Sequence, residues 1–148
     1  DDRLSTTNVT LITCQPPKRT FKYLMAIILG IPRVHVQWLT DCVEKGVKWP
    51  TRSPAYTVDP HPTDCDAHTS RPLHHQLWCV NRDKETRAFH AEFTVILRAL
   101  GATLCSEKGD CEYWLVSTMA GGRRHAEGRV VVAEQLVDCI VKNDFTTI

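Results

Sequence analysis

The amino-acid sequence predicts an α/β fold made of two related domains, each a small parallel sheet flanked by helices, with the first domain incomplete. Three observations carry this. A short pattern occurs twice: residues 38–46 read Trp-Leu-Thr-Asp-Cys-Val-Glu-Lys-Gly and residues 135–143 read Gln-Leu-Val-Asp-Cys-Ile-Val-Lys-Asn. The aspartates, cysteines and lysines of the two copies each lie 97 positions apart. That period is close to one small domain and too long for a solenoid unit. Short β-prone runs alternate with runs of helical period, and the strands are apolar throughout, as in a parallel sheet covered on both faces. Residues 49–75 hold five of the eight prolines among Ser, Thr, Asp and His, which marks a linker without a core of its own. The expected organisation is a partial first domain over 1–48, a linker over 49–75 and a second domain over 76–148. The first copy of the pattern closes at residue 46 of 148, so the opening part of the first domain is expected to lie outside this sequence.

The elements follow in order. Asn8–Gln15 is a β-branched run that reads as a buried strand, broken by Pro16 and Pro17. Lys18–Leu29 reads as a helix with Phe21, Leu24, Met25 and Ile28 on one stripe, ended by Gly30 and Pro32. Arg33–Val36 is a brief strand, and Gln37–Lys45 a helix expected to bury Trp38, Leu39, Cys42 and Val43. In the second domain Gln76–Asn81 is a strand and Ala88–Leu100 a helix with Phe93, Ile96, Leu97 and Leu100 inward. Ala102–Ser106, Cys111–Ser117 and Val130–Ala133 are three further strands, with a Gly-containing loop over Met119–Arg129. Glu134–Lys142 is the repeated helix. Gly46 and Asn143 close the two copies with residue types suited to a left-handed cap.

Charge and composition narrow the function. Eighteen basic and 17 acidic residues leave a formal net charge of +1, so no long-range field draws in nucleic acid or membrane, and anion recognition must be local. Seven cysteines, an odd number at spacings unlike a disulfide framework, favour a reducing, intracellular setting. The apolar run Leu24–Ile31 is too short to cross a bilayer, and no membrane partner is expected. His61, Cys65, His68, His74, His75 and Cys79 lack the Cys-x2-Cys knuckle of structural zinc sites, and a His-rich linker explains most of them. No nucleophile–base set or carboxylate pair is placed by a recognisable motif. Neither an enzyme nor a metal or other cofactor is expected.

One place invites an anion. Lys18, Arg19 and Lys22 crowd the start of the first helix, where unpaired amides and the helix dipole already make the potential positive. Cations there cost about 0.3–1 kcal/mol each, which is explicable if backbone amides, the Thr20 hydroxyl and the flanking cations hold an anion. A solvated basic turn would show the same residues. Gly121-Gly122-Arg123-Arg124 could add anion contacts but is not a Walker loop, since no Lys-Ser/Thr follows.

The run Arg19-Thr20-Phe21-Lys22-Tyr23-Leu24, then Gly30-Ile31-Pro32, then Trp38 with Cys42 four residues on, resembles the BRCT repeat, the breast-cancer-protein carboxy-terminal repeat. It is similar to the first repeat of tandem modules in DNA-damage checkpoint mediators. The resemblance implies two BRCT-like domains and a nuclear protein-interaction module that binds a phosphoserine or phosphothreonine segment. It implies that Lys22 contacts the phosphate with Thr20 beside it. Arg19 would engage the peptide three residues further on, and Leu24 would line an apolar pocket between the repeats. Apart from the resemblance, the basic residues Lys18, Arg123 and Arg124 could add secondary anion contacts. Two other functions stay open: binding of DNA, chromatin or a DNA-end phosphate by the same basic residues, and a phosphate-independent pairing module. Gln135 stands where the family keeps Trp in its second repeat, which predicts a core repacked around Trp78 or Trp114.

Overall fold

The duplicated pattern reappears as duplicated structure. A computed structural model describes residues 9–14, 16–46, 56–58, 71–80, 85–105, 111–118 and 128–148. The chain divides into two units, Asp1–His68 and Thr69–Ile148. In each, a strand runs directly into the repeated helix: β2 (Arg33–His35) into α2 (Gln37–Lys45), and β6 (Arg129–Val132) into α4 (Ala133–Lys142). Both helices stop on a left-handed residue, Gly46 at φ 61° and Asn143 at φ 50°. An Asp–Lys pair one turn apart also recurs, at 3.0 Å for Asp41–Lys45 and 3.8 Å for Asp138–Lys142.

In the first unit β1 (Leu11–Thr13) pairs in parallel with β2, placing Leu11 opposite Arg33 and Thr13 opposite His35. Parallel neighbours need a crossover, and α1 (Phe21–Ile28) supplies it. The helix starts three residues later than the sequence pattern suggests. Thr20 is extended (φ −79°, ψ 161°) and its hydroxyl accepts the Tyr23 amide at 3.4 Å, the geometry of an N-cap. The buried face is Tyr23, Leu24 and Ala26, while Phe21, Met25 and Ile28 are only half-buried. The second helix also differs from expectation. It buries Trp38 and Asp41, leaves Cys42 half-buried, and exposes Leu39 and Val43.

The 49–75 segment contributes to both units. In the first, Thr57 forms an antiparallel bridge with Val34. The His35 amide donates to the Tyr56 carbonyl at 2.8 Å and the Val58 amide to the Arg33 carbonyl at 3.1 Å. This short strap lies on the edge of β2 away from β1 and buries Val58. It widens a sheet whose two strands would be marginal alone. In the second, Leu73 is fully buried and donates its amide to the Leu100 carbonyl at 3.1 Å.

The second unit is a four-stranded, all-parallel sheet. It contains β3 (Leu77–Val80), β4 (Thr103–Leu104), β5 (Tyr113–Val116) and β6, in the spatial order β4-β3-β5-β6. Between β3 and β4 runs α3 (Arg87–Ala99), capped by the Thr86 hydroxyl, which accepts the Phe89 amide at 3.1 Å. Its Ile96 and Leu97 are buried, as periodicity predicts. Trp78 and Trp114 are both buried, and Trp78 stacks on Tyr113 with centroids 4.8 Å apart. Gln135 is not in this core. It is exposed, and its side-chain oxygen accepts the Val132 amide at 3.0 Å, capping α4. Cys105 and Cys111 form a disulfide linking the ends of β4 and β5, a pairing the cysteine spacing did not suggest. A Cβ on Gly128 would lie 2.6 Å from both the Cys111 carbonyl oxygen and the Trp114 ring, so close backbone approach requires glycine there.

Candidate functional site

The basic turn is built from a break in the chain rather than from the helix itself. Lys18 and Arg19 precede the Thr20 cap, and Lys22 is the second residue of α1; all four side chains are exposed. The Thr20 amide folds back onto the Lys18 carbonyl at 2.8 Å, and the Leu24 amide donates to the Thr20 carbonyl at 3.0 Å. With the Tyr23 amide taken by the Thr20 hydroxyl, the amides of Phe21 and Lys22 have no acceptor among the described residues. Two such amides at a helix N-terminus, with exposed Lys18, Arg19 and Lys22 next to them in the chain, are a local anion site in the electrostatic sense. Thr20 can serve it as well. Its oxygen accepts from Tyr23 through one lone pair, which leaves the hydroxyl proton free to donate.

Leu24 is placed differently. At 3% exposure it is buried and can act only from the inner side of that turn. Arg123 and Arg124, with His61, Cys65 and His68 of the His/Cys set, lie outside the described residues. His74 and His75 are exposed, with ring centroids 3.7 Å apart, whereas Cys79 is buried in β3. No grouping of three or more His, Cys, Asp or Glu side chains suited to a metal occurs among the described residues. None of their helices is long and apolar enough to cross a membrane.

Sequence reading missed a polar cluster that organises the first unit. Asp41, buried on α2, accepts from the Tyr56 hydroxyl at 2.5 Å and from the Gln37 amide group at 3.1 Å, and pairs with Lys45 at 3.0 Å. The Tyr56 hydrogen bond, then those of Gln37 and Lys45, hold its carboxyl down at about 2. The same bond pushes the Tyr56 hydroxyl up. The run Tyr56-Thr57-Val58 is β-prone and could have signalled the strap, but the prolines around it hid the pattern.

Comparison with known proteins bears on this same region. Residues 2–43 match the BRCA1 C Terminus (BRCT) domain family. The matched stretch holds β1, the basic turn, α1 and β2, and most of α2. The chain is also 42% identical over 50 residues to the DNA damage response protein Mdb1 of Schizosaccharomyces pombe. That similarity covers 34% of this chain and 8% of the yeast protein. The chain is thus an α/β protein with parallel sheets flanked by helices and a BRCT match at its N-terminal side.

Proposed function

We propose that this chain is a protein-interaction module of the DNA-damage response, acting in the nucleus, that captures a phosphorylated serine or threonine of a partner at the basic turn. One observation carries the reading: the amides of Phe21 and Lys22, without an acceptor among the described residues, open α1 beside the exposed Lys18, Arg19 and Lys22, inside the BRCT-matched segment. A phosphate carries about −1.5 to −2 charges at neutral pH and three acceptor oxygens. The amides and the Thr20 hydroxyl satisfy the oxygens, Lys22 and Lys18 offset the charge, and Arg19 is long enough to reach the peptide beyond. The near-zero net charge of the chain supports a ligand recognised locally over one drawn in by a broad field.

The test is a titration of the chain with a phosphoserine peptide and with its unphosphorylated twin. The phosphorylated peptide should bind at least tenfold more tightly. Lys22→Met should erase that preference while the circular dichroism spectrum stays unchanged, because Lys22 is exposed. Equal affinity for the two peptides would refute the proposal. Tight duplex binding with a steep salt slope would replace it with recognition of nucleic-acid phosphate.

A further inference from the structure

Three neighbouring strands of the second unit bring a cysteine to one place. Cys79 lies in β3, Cys105 directly follows β4, and Cys111 stands two residues ahead of β5. The β3–β4 ladder pairs Trp78 with Leu104, and one step further in that register sets Cys105 beside Cys79. Cys79, Cys111 and Trp114 pack together in the core, with Cys105 against them. Cys105 and Cys111 are joined by the disulfide, while Cys79 keeps its thiol. The two joined sulfurs differ in access. Cys111 is 6% exposed, whereas Cys105 is only half-buried.

Main-chain bonds hold both cysteines in place whatever the state of their sulfurs. The Cys105 amide donates to the Trp78 carbonyl at 2.9 Å, and the Glu112 amide, next to Cys111, donates to the Leu77 carbonyl at 3.1 Å. The Leu77 amide in turn donates to the Glu112 carboxylate at 3.2 Å. A reduced Cys105 also has an acceptor waiting: its Sγ lies 3.3 Å from the Trp78 carbonyl oxygen, which has a second lone pair to offer. The same backbone therefore serves a disulfide and a dithiol. In the nucleus glutathione keeps thiols reduced, and disulfides found in such compartments are as a rule transient or redox-sensing. That location is all that is taken from the proposed function. We propose that Cys105–Cys111 is a reversible disulfide, and that Cys105 is the site where a small-molecule thiol of the glutathione class joins this chain. The incoming thiolate attacks the accessible Cys105 Sγ. A bond forms between the two sulfurs, the Cys105–Cys111 bond breaks, and its electron pair leaves on Cys111 Sγ, which takes a proton from water. A second thiolate attacks the outer sulfur of the mixed disulfide and releases Cys105, which is protonated in its turn. Two electrons and two protons reduce the pair, and two small thiols become one small disulfide.

The test equilibrates the 148-residue chain in glutathione buffers running from fully oxidised to fully reduced. Samples are quenched with acid, alkylated under denaturing conditions and mapped by mass spectrometry, with circular dichroism recorded before the quench. The pair should pass from disulfide to two alkylated thiols within that range and return when the buffer is reversed, with the helical signal unchanged. In Cys111→Ser, oxidised glutathione should mark Cys105; in Cys105→Ser the mark on Cys111 should be at least tenfold weaker, because that sulfur is buried. If either variant fails to fold, the titration of the parent chain decides alone. A bond that survives reduced glutathione in the folded chain, or one that never forms in oxidised glutathione, would overturn the proposal. So would reduction that abolishes the helical signal, reoxidation that pairs Cys79 with either sulfur, or equal marking of Cys111. No phosphopeptide enters this measurement, so its outcome is separate from that of the peptide titration.

Discussion

The first unit and the second unit solve the same local problem with different means. Each turns a parallel strand into a helix that carries Asp and Lys one turn apart and stops on a left-handed residue. The second unit stabilises its copy with apolar enclosure: four strands, Trp78 and Trp114 in the core, and Leu136 and Ile140 sealed beneath α4. The first unit shows two strands among its described residues and adds polar fastening. Its aspartate is buried and tied to a strap from the Pro-rich segment, whereas Asp138 stays partly exposed, with Lys142 at 3.8 Å. A repeated sequence therefore fixes the path of the chain, and the surroundings decide which of its side chains carry the stability.

The sharpest way to break this contrast is to remove the same leucine from each copy. Leu136→Ala should cost about 2–5 kcal/mol by lost transfer and an unfilled cavity. Leu39→Ala should stay within about 0.5 kcal/mol, as exposed sites do. Urea melts of the two variants measure both; equal losses would mean that α2 is covered as fully as α4.

The next effect is the pH dependence that Asp41 confers on the first unit. The Asp41 carboxyl ionises at about 2 in the fold, against an ordinary value of 3.8. A group depressed on folding stabilises fully above its unfolded value and loses that contribution as pH falls through its folded one. Amide exchange in β2 and α2 should therefore accelerate between about pH 4 and pH 2. Asp41→Asn should be less stable at neutral pH and should lack that acid-dependent component. Tyr56→Phe should reduce it, because the Tyr56 hydroxyl is the largest cause of the depression. Asp144, held low by the Thr146 hydroxyl and amide, supplies a background of the same sign in all the variants.

The smallest effect concerns the caps. Gly46→Ala should cost about 1–2 kcal/mol, since a Cβ is strained at φ 61°. Gly46→Asn should stay within about 0.5 kcal/mol, because asparagine tolerates that conformation and holds the equivalent place at Asn143. A thermal melt of the pair checks the ordering.

These contrasts also show what a reader of the sequence could see. The repeated helix, its two caps, and the strands and helix α3 of the second unit were legible, because local residue chemistry and period dictate them. The burial of α2 was not. Period identifies Leu39 and Val43 as belonging to one face but cannot say whether anything lies against that face. Asp41 escaped for the opposite reason: a reading built on apolar residues assigns a carboxylate to solvent, and the partner that draws it inward is 15 positions away at Tyr56. At the candidate site the cations were evident as a cluster. The start of α1 is less legible, since Pro17 suits a helix start while the Thr20 hydroxyl, three residues on, supplies the cap.

The strap has a mechanical consequence. Among the described residues, the segment ending at Val58 is held to the first unit by two backbone hydrogen bonds, to Arg33 and His35, and by the Tyr56–Asp41 bond. The strap thus ties the Pro-rich segment to both β2 and α2, so that one short run fastens a strand edge and a helix together.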